Sequence, residues 1–91
     1  QDVMIHVKIL GHKTPQRYAI RRAVVAAQSD LLREHPGLEV EIMEIKDTQE
    51  MLQYTSVIGF PSLMVNGILV CTGRYPRKDE VAGWLLMATR R

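Results

Sequence analysis

The alternation of apolar and polar residues predicts four strands. In residues 3–10 every odd-numbered position is apolar and the even-numbered positions are mixed, which predicts an interior strand that is covered more heavily on one side. Residues 38–45 begin by alternating apolar residues with glutamate, over positions 38–42, which favours a half-exposed strand at a sheet edge. Residues 62–65 and 68–72 flank Asn66 and Gly67. Both turn residues accept positive φ, so this pattern predicts a tight hairpin.

Two longer segments have apolar residues at helical spacing. The first helix is predicted over residues 14–35, with Thr14 as N-cap, Pro15 in the first turn and a stop at His35. The second is predicted over residues 77–89, with Leu86 and Met87 at the borders of its buried stripe. The two stripes are Ile20, Ala23, Val24, Ala27 and Leu31, and Val81, Trp84, Leu85 and Ala88.

A short third helix is predicted after Asp47. Asp47 and Glu50 have the spacing of a capping box, and Met51, Leu52 and Tyr54 are the side chains expected to anchor this helix. Gly73 follows the last strand and is expected to form a bulge or a sharp bend.

The element order is therefore βαβαββα. A strand, a long helix and a second strand form a right-handed crossover with parallel strands, and the hairpin adds two antiparallel strands. We expect an α/β fold with a four-stranded mixed sheet, helices on both faces, and one domain over residues 1–91.

Composition limits the possible functions. The net charge of +2, without a dense basic run, does not point to nucleic acid, and no apolar run approaches the ~20 residues of a membrane span. The single cysteine, Cys71, excludes an intrachain disulfide and fits a reducing, cytoplasmic location. Three dispersed histidines suggest no metal site, and we expect no cofactor. No secretory signal is visible. The chain begins at Gln1 rather than Met, which is consistent with a fragment or a processed form.

Four short motifs resemble the small thioredoxin-like, glutaredoxin-sized redox proteins. They are Ile-Leu-Gly at 9–11, Gly-Phe-Pro at 59–61, Val-Asn-Gly at 65–67 and Gly-Arg at 73–74. The resemblance covers nearly the whole chain. It implies a thioredoxin-like fold, a cis bond between Phe60 and Pro61, and a position for this loop beside the start of the first helix.

The resemblance fails at the residues that carry the chemistry. In that family the first helix begins with Cys-x-x-Cys, where the helix N-terminus lowers the pKa of the attacking thiol and the second thiol resolves the mixed disulfide. Here Thr14, Pro15, Gln16 and Arg17 stand in those positions. Without either sulfur, dithiol–disulfide exchange at this place is chemically impossible. The resemblance therefore carries over the fold but not the activity.

Several residues remain candidates for a site. His12, Lys13, Arg17 and Arg74 are expected to converge, either as an anion site at the helix start or as a basic rim in which Arg17 bends toward water. Phe60 either forms an apolar platform for a partner or covers the space of the missing sulfurs.

Four further residues have a structural and a functional interpretation. Thr14 is a helix cap rather than a nucleophile, because no acidic orienter lies near His12 in the sequence. Cys71 is a buried apolar group rather than a lone redox thiol. Met87 and its neighbour Leu86 contribute to a dimer face or are simply half-buried.

These features favour a redox-inactive thioredoxin-like domain that serves as a protein-binding or structural module. Its groove would comprise residues 12–17 with Phe60, Pro61, Gly73 and Arg74, and its partner would be another protein subunit or a second copy. The alternative is a protein that binds a small anion or a thiol conjugate such as glutathione, or a thiol-redox-related enzyme.

Overall fold

Seven elements follow one another in the predicted order. The structure is a computed structural model that describes residues 3–54 and 59–90. The loop predicted before Pro61 lies partly outside these residues. The elements are β1 (Val3–Leu10), α1 (Thr14–Leu31), β2 (Leu38–Ile45), α2 (Thr48–Met51), β3 (Ser62–Val65), β4 (Ile68–Thr72) and α3 (Lys78–Ala88).

The four strands form one mixed sheet in the order β2-β1-β3-β4. β1 pairs in parallel with β2 and antiparallel with β3, and β3 pairs antiparallel with β4. β1 is therefore the interior strand that its pattern predicts, and β2 is an edge strand. This arrangement confirms the α/β thioredoxin-like fold with a four-stranded mixed sheet.

Helices cover the two sheet faces unequally. α1 and α3 pack together on the face formed by the odd-numbered residues of β1, where the main apolar core lies. On the other face, α2 contributes only Met51 to a smaller cluster with Leu10, Ile45 and Met64. The larger cluster comprises Ile5, Val7, Ile9, Ile20, Val24, Ala27, Leu38, Leu63, Val65, Cys71, Val81 and Leu85.

The turn between β3 and β4 has the predicted backbone. Asn66 has φ of 50° and Gly67 has φ of 81°, the left-handed region in which a residue with a large side chain is strained. Asn66 also ties the turn to β1, because its side-chain oxygen accepts from the His6 N–H at 2.9 Å and its own N–H donates to the His6 carbonyl at 2.8 Å. Gly73, with φ of 75°, forms the predicted bend after β4.

The predicted end of α1 is wrong by one turn. α1 ends at Leu31, and the His35 N–H donates back to the Leu31 carbonyl at 2.9 Å. Pro36 disfavours helical backbone at the residue before it, so the chain leaves the helix before His35 rather than at it.

The predicted anchoring of α2 is also wrong in part. α2 begins after Asp47 as expected, but the Asp47 side chain makes no capping hydrogen bond. Met51 is buried, whereas Leu52 and Tyr54 are exposed. A helix of four residues turns only one side toward the sheet, which leaves room for a single anchor.

Two glycine substitutions test this backbone in opposite directions. Gly67→Ala is expected to lower the free energy of unfolding by about 1 kcal/mol, because alanine resists the left-handed region. Gly83→Ala is expected to raise it by up to about 1 kcal/mol, because Gly83 lies inside α3 and an added Cβ meets no atom within 4 Å. Urea unfolding measures both changes, and changes of the same sign would contradict the assignment.

Candidate functional site

Arg17 is the best-connected side chain at the start of α1. It is buried, with 8% of its surface exposed. Its Nη1 donates to the Gly11 carbonyl at 2.8 Å, its Nη2 to Thr14 Oγ1 at 3.1 Å, and its Nε to Glu44 Oε1 at 3.0 Å. The prediction that Arg17 bends toward water is therefore wrong. Its charge is already satisfied within the chain.

The positions of both ion-pair partners explain this burial. Arg17 lies three residues before Ile20 and so belongs to the buried stripe of α1. Glu44 lies on the side of β2 that faces α1, because it has the same parity as Leu38. Arg21 Nε donates to the other carboxylate oxygen of Glu44, Oε2, at 2.6 Å. The pKa of Glu44 is lowered, chiefly by the hydrogen bond from Arg21 and further by Arg17, against the opposing effect of burial.

Thr14 is not the N-cap that the sequence predicts. Lys13 is the N-cap, and Thr14 is the first residue of α1. The Lys13 carbonyl accepts the N–H groups of Gln16 and Arg17 at 3.1 and 3.2 Å. The Thr14 hydroxyl accepts from the Arg17 guanidinium instead. The two positions that carry sulfur in the family are thus joined by a hydrogen bond.

His12 connects the start of α1 to the loop before β3. Its ring meets the Phe60 ring edge to face, with centroids 4.5 Å apart and planes at 72°. Its Nε2 lies 3.4 Å from Thr48 Oγ1, at the start of α2. These contacts orient the imidazole toward Phe60 and Thr48. Among the residues that the structure describes, His12 makes no side-chain hydrogen bond to Thr14. The described geometry therefore gives no support to an activated Thr14 nucleophile.

The loop before β3 is tied to the end of β4. The Phe60–Pro61 bond is cis, and the Pro61 carbonyl accepts from the Gly73 N–H at 2.9 Å. Thr72 Oγ1 donates to the Gly59 carbonyl at 3.1 Å. A Cβ on Gly59 would lie 2.6 Å from Thr72 Oγ1, so only glycine allows this approach. Ser62 completes the connection, because its hydroxyl contacts both the Gly59 carbonyl and Thr72 Oγ1.

Arg74 follows Gly73 but directs its charge elsewhere. Its guanidinium makes two hydrogen bonds to the Glu80 carboxylate on α3, at 2.9 and 2.8 Å. Together with the Arg77 N–H, Arg74 lowers the pKa of Glu80 to about 2. Two of the four basic residues expected to converge, Arg17 and Arg74, are thus each paired with a glutamate. The convergence of all four side chains stays a prediction.

Cys71 lies on the side of β4 that faces the main core. Its surface is 5% exposed, and its Sγ lies 3.6 Å from the Arg74 carbonyl. Burial raises the pKa of the thiol, which disfavours the reactive thiolate. This agrees with the interpretation of Cys71 as a buried apolar group.

The residues that meet at this end of the sheet form one surface, which we call the helix-start surface. It comprises His12, Lys13, Thr14, Phe60 and Gly73. The first three are exposed, Phe60 is half-buried against the smaller core, and Gly73 is exposed. Pro61 lies buried directly beneath it. The surface offers aromatic carbon and two basic side chains rather than an array of free cations.

Sequence reasoning missed Glu44 and Thr48. The parity of Glu44 was a usable signal, because an acidic residue on the helix-facing side of a strand requires a cationic partner. No comparable signal pointed to Thr48, whose contact with His12 depends on how α2 lies against the sheet.

Neither a metal site nor a membrane-spanning helix is found in the residues that the structure describes. Within residues 3–54 and 59–90, no group of three or more His, Cys, Asp or Glu side chains is placed to hold a metal ion. No helix in the same ranges combines the length and the apolar character needed to cross a membrane.

The cis-proline loop beside the start of α1, on a mixed sheet with this strand order, defines a protein of the thioredoxin class. The family model described as "Thioredoxin domain" matches residues 5–86. The chain therefore belongs to the thioredoxin domain family. A comparison with curated proteins gives no match.

The arginine pair provides the first test of this site. Arg17→Met is expected to lower the free energy of unfolding by about 3 kcal/mol, because it leaves the Gly11 carbonyl and Glu44 without a buried partner. Arg21→Met is the matched control. Its side chain is 40% exposed, so its loss should cost less than about 1 kcal/mol. Equal losses in urea unfolding would show that the burial of Arg17 is unimportant.

Glu80 provides a test by pH. Its pKa falls from an ordinary value of 4.5 to about 2 on folding, so the stability it contributes is complete above pH 4.5 and is lost as the pH falls toward 2. Glu80→Gln should therefore lose less stability than the wild type between pH 5 and pH about 2. Urea unfolding at several pH values measures this difference. Identical pH profiles would show that the ion pair with Arg74 does not form in solution.

Proposed function

We propose that this thioredoxin-family domain performs no dithiol–disulfide exchange and serves as a protein-binding or structural module through the helix-start surface. The observation that carries the proposal is the hydrogen-bond network of Arg17. At the position of the resolving thiol, a buried guanidinium links the loop before α1, the first turn of α1 and β2. The start of α1 is therefore held in place by these hydrogen bonds. We further propose that the domain acts in the cytoplasm.

The atoms at this place support the proposed absence of redox chemistry. Exchange needs one thiolate to attack and a second thiol to release the mixed disulfide. Thr14 and Arg17 supply neither, and the Thr14 hydroxyl accepts from a cation without a contacting base. Cys71 does not replace them, because it is buried and its thiol pKa is raised.

The binding half of the proposal rests on what remains exposed beside the network. Phe60 is partly exposed next to the His12 imidazole, and Lys13 adds a cation at the same edge. Gly73 leaves the neighbouring backbone open to close approach, because a Cβ at this position would meet no atom within 4 Å. An extended segment of another protein, with an aromatic or aliphatic residue near an acidic one, fits this chemistry.

The alternative of a small anion or glutathione has less support from these contacts. An anion site at a helix start uses free N–H groups and unpaired cations. Here the N–H groups of Gln16 and Arg17 donate to the Lys13 carbonyl, and the Arg17 side chain is paired with Glu44. Glutathione and sulfate therefore belong in the experiment as competing ligands.

A backbone amide titration by NMR tests the binding proposal. The labelled chain is titrated with a pool of extended peptides, with glutathione and with sulfate. We expect saturable shifts at Lys13, Phe60 and Gly73 with peptides only. Saturation by glutathione or sulfate alone would replace the proposal with the small-ligand alternative. The absence of any shift at these residues would refute binding at the helix-start surface.

Charge reversal at the two ends of α1 supplies the matched control. Lys13→Glu should weaken binding of the responding peptide about three- to tenfold, because it replaces an attraction with a repulsion at the contact. Arg33→Glu makes the same change beyond the far end of α1, roughly 30 Å away, and should leave binding unchanged. Equal effects would indicate attraction by net charge alone. Turnover of a fluorescent disulfide substrate in the presence of glutathione would independently refute the redox half.

A further inference from the structure

One corner of the molecule is free of charge, although 24% of the residues in the chain are charged. Residues 62–73, which form the β3–β4 hairpin and the residue after it, include no Asp, Glu, Lys or Arg. Residues 81–89, which form most of α3, include none either. These segments lie side by side, because residues of both line the same cleft. β4 is an edge strand, and α3 packs on the face of the sheet where the main core lies.

An apolar cleft of about 150 Å³ opens between these two segments. The hairpin contributes Val65, Ile68, Val70 and the polar Asn66 to its lining, and α3 contributes Trp84, Met87 and Ala88. A cavity of this size and character accepts a group as large as a benzene ring. The cleft lies on the opposite side of β3 from β1 and is separate from the helix-start surface.

Two apolar side chains protrude at the rim of this cleft. The surface of Met87 is 68% exposed and that of Ile68 is 46% exposed. A protruding side chain and a cavity that can receive it are thus present in the same patch. A twofold interface requires this self-complementarity, because each copy must supply both the side chain and the cavity that receives its partner's.

The two edge strands of the sheet, β2 and β4, differ in charge. β2 carries Glu39, Glu41 and Glu44, and such charges discourage edge-to-edge association. β4 carries no charge and no proline. Its one protective feature is an unpaired extra residue, Val70, where the pairing with β3 shifts register. Because a bulge hinders the addition of a strand, we place the contact at the cleft rather than along the backbone of β4.

We propose that a second copy of this chain docks on this corner, with Met87 of each copy seated in the cleft of the other. Charge supports this choice of partner. The residues that line the cleft are uncharged, and the small net charge of +2 leaves little long-range repulsion between copies. The interface leaves the helix-start surface free, so this proposal stands or falls independently of the proposed function.

Sedimentation of the chain over a range of concentrations tests the proposal. The wild type should form a dimer in a concentration-dependent manner. Trp84 is the only tryptophan and lines the cleft, so its fluorescence emission should shift to the blue as the dimer forms. Met87→Glu should weaken the dimer at least about tenfold, because it places a charge in an apolar cavity. Circular dichroism checks that this exposed substitution leaves the fold intact, and Ile68→Lys is a second variant with the same expectation.

Met43→Glu is the matched control, because Met43 is 45% exposed on the other face of the sheet and pairs with Lys8 in register. It should dimerise like the wild type. A wild type that stays monomeric up to about 1 mM would overturn the proposal. Undiminished dimerisation of Met87→Glu would overturn it too. A monomer whose Trp84 emission shifts only when an unrelated apolar peptide is added would assign the cleft to another partner and equally reject a second copy.

Discussion

The burial of one guanidinium organises the functional end of this domain. A cation removed from water must find hydrogen-bond acceptors and a counter-charge, and Arg17 finds them in Gly11, Thr14 and Glu44. These partners belong to the loop after β1, the first turn of α1 and the last residues of β2. Satisfying the charge of Arg17 therefore fixes how α1 begins and how it lies on β2. The same interaction explains why the Thr14 hydroxyl does not cap the helix. It also explains why Arg17 does not join the neighbouring basic side chains in an anion site, because it is paired with Glu44.

Charge is distributed unevenly around the sheet, and this distribution separates two kinds of surface. Glutamates line the β2 edge, and two of the basic side chains near the helix start are held by Glu44 and Glu80. The helix-start surface keeps an aromatic ring with exposed His12 and Lys13. Residues 62–73 and 81–89, which flank the cleft between the hairpin and α3, include no Asp, Glu, Lys or Arg. A family member without the Cys-x-x-Cys motif thus has two chemically different surfaces.

Most of the fold could be predicted because its signals are local. Alternation along β1 and β2, helical spacing in α1 and α3, and the Asn66–Gly67 turn each depend on a few neighbouring residues. The errors came where the position of a side chain depends on what surrounds it in the folded chain. The Thr14 hydroxyl accepts from Arg17 and does not cap the helix. Leu52 and Tyr54 are exposed because a four-residue helix anchors only Met51. Only part of the candidate site was predictable for the same reason.

By itself the sequence determined the order of the elements, the resemblance to thioredoxin-like proteins and the absence of both redox sulfurs. These conclusions depend on residue identity and short-range spacing. Tertiary structure alone decided that Arg17 is buried, that His12 lies against Phe60, that Arg74 is held by Glu80, and that Met87 protrudes beside a cleft. Each of these depends on segments brought together by the sheet, and the free energy of a charge or a ring is set by the atoms around it rather than by its neighbours in sequence.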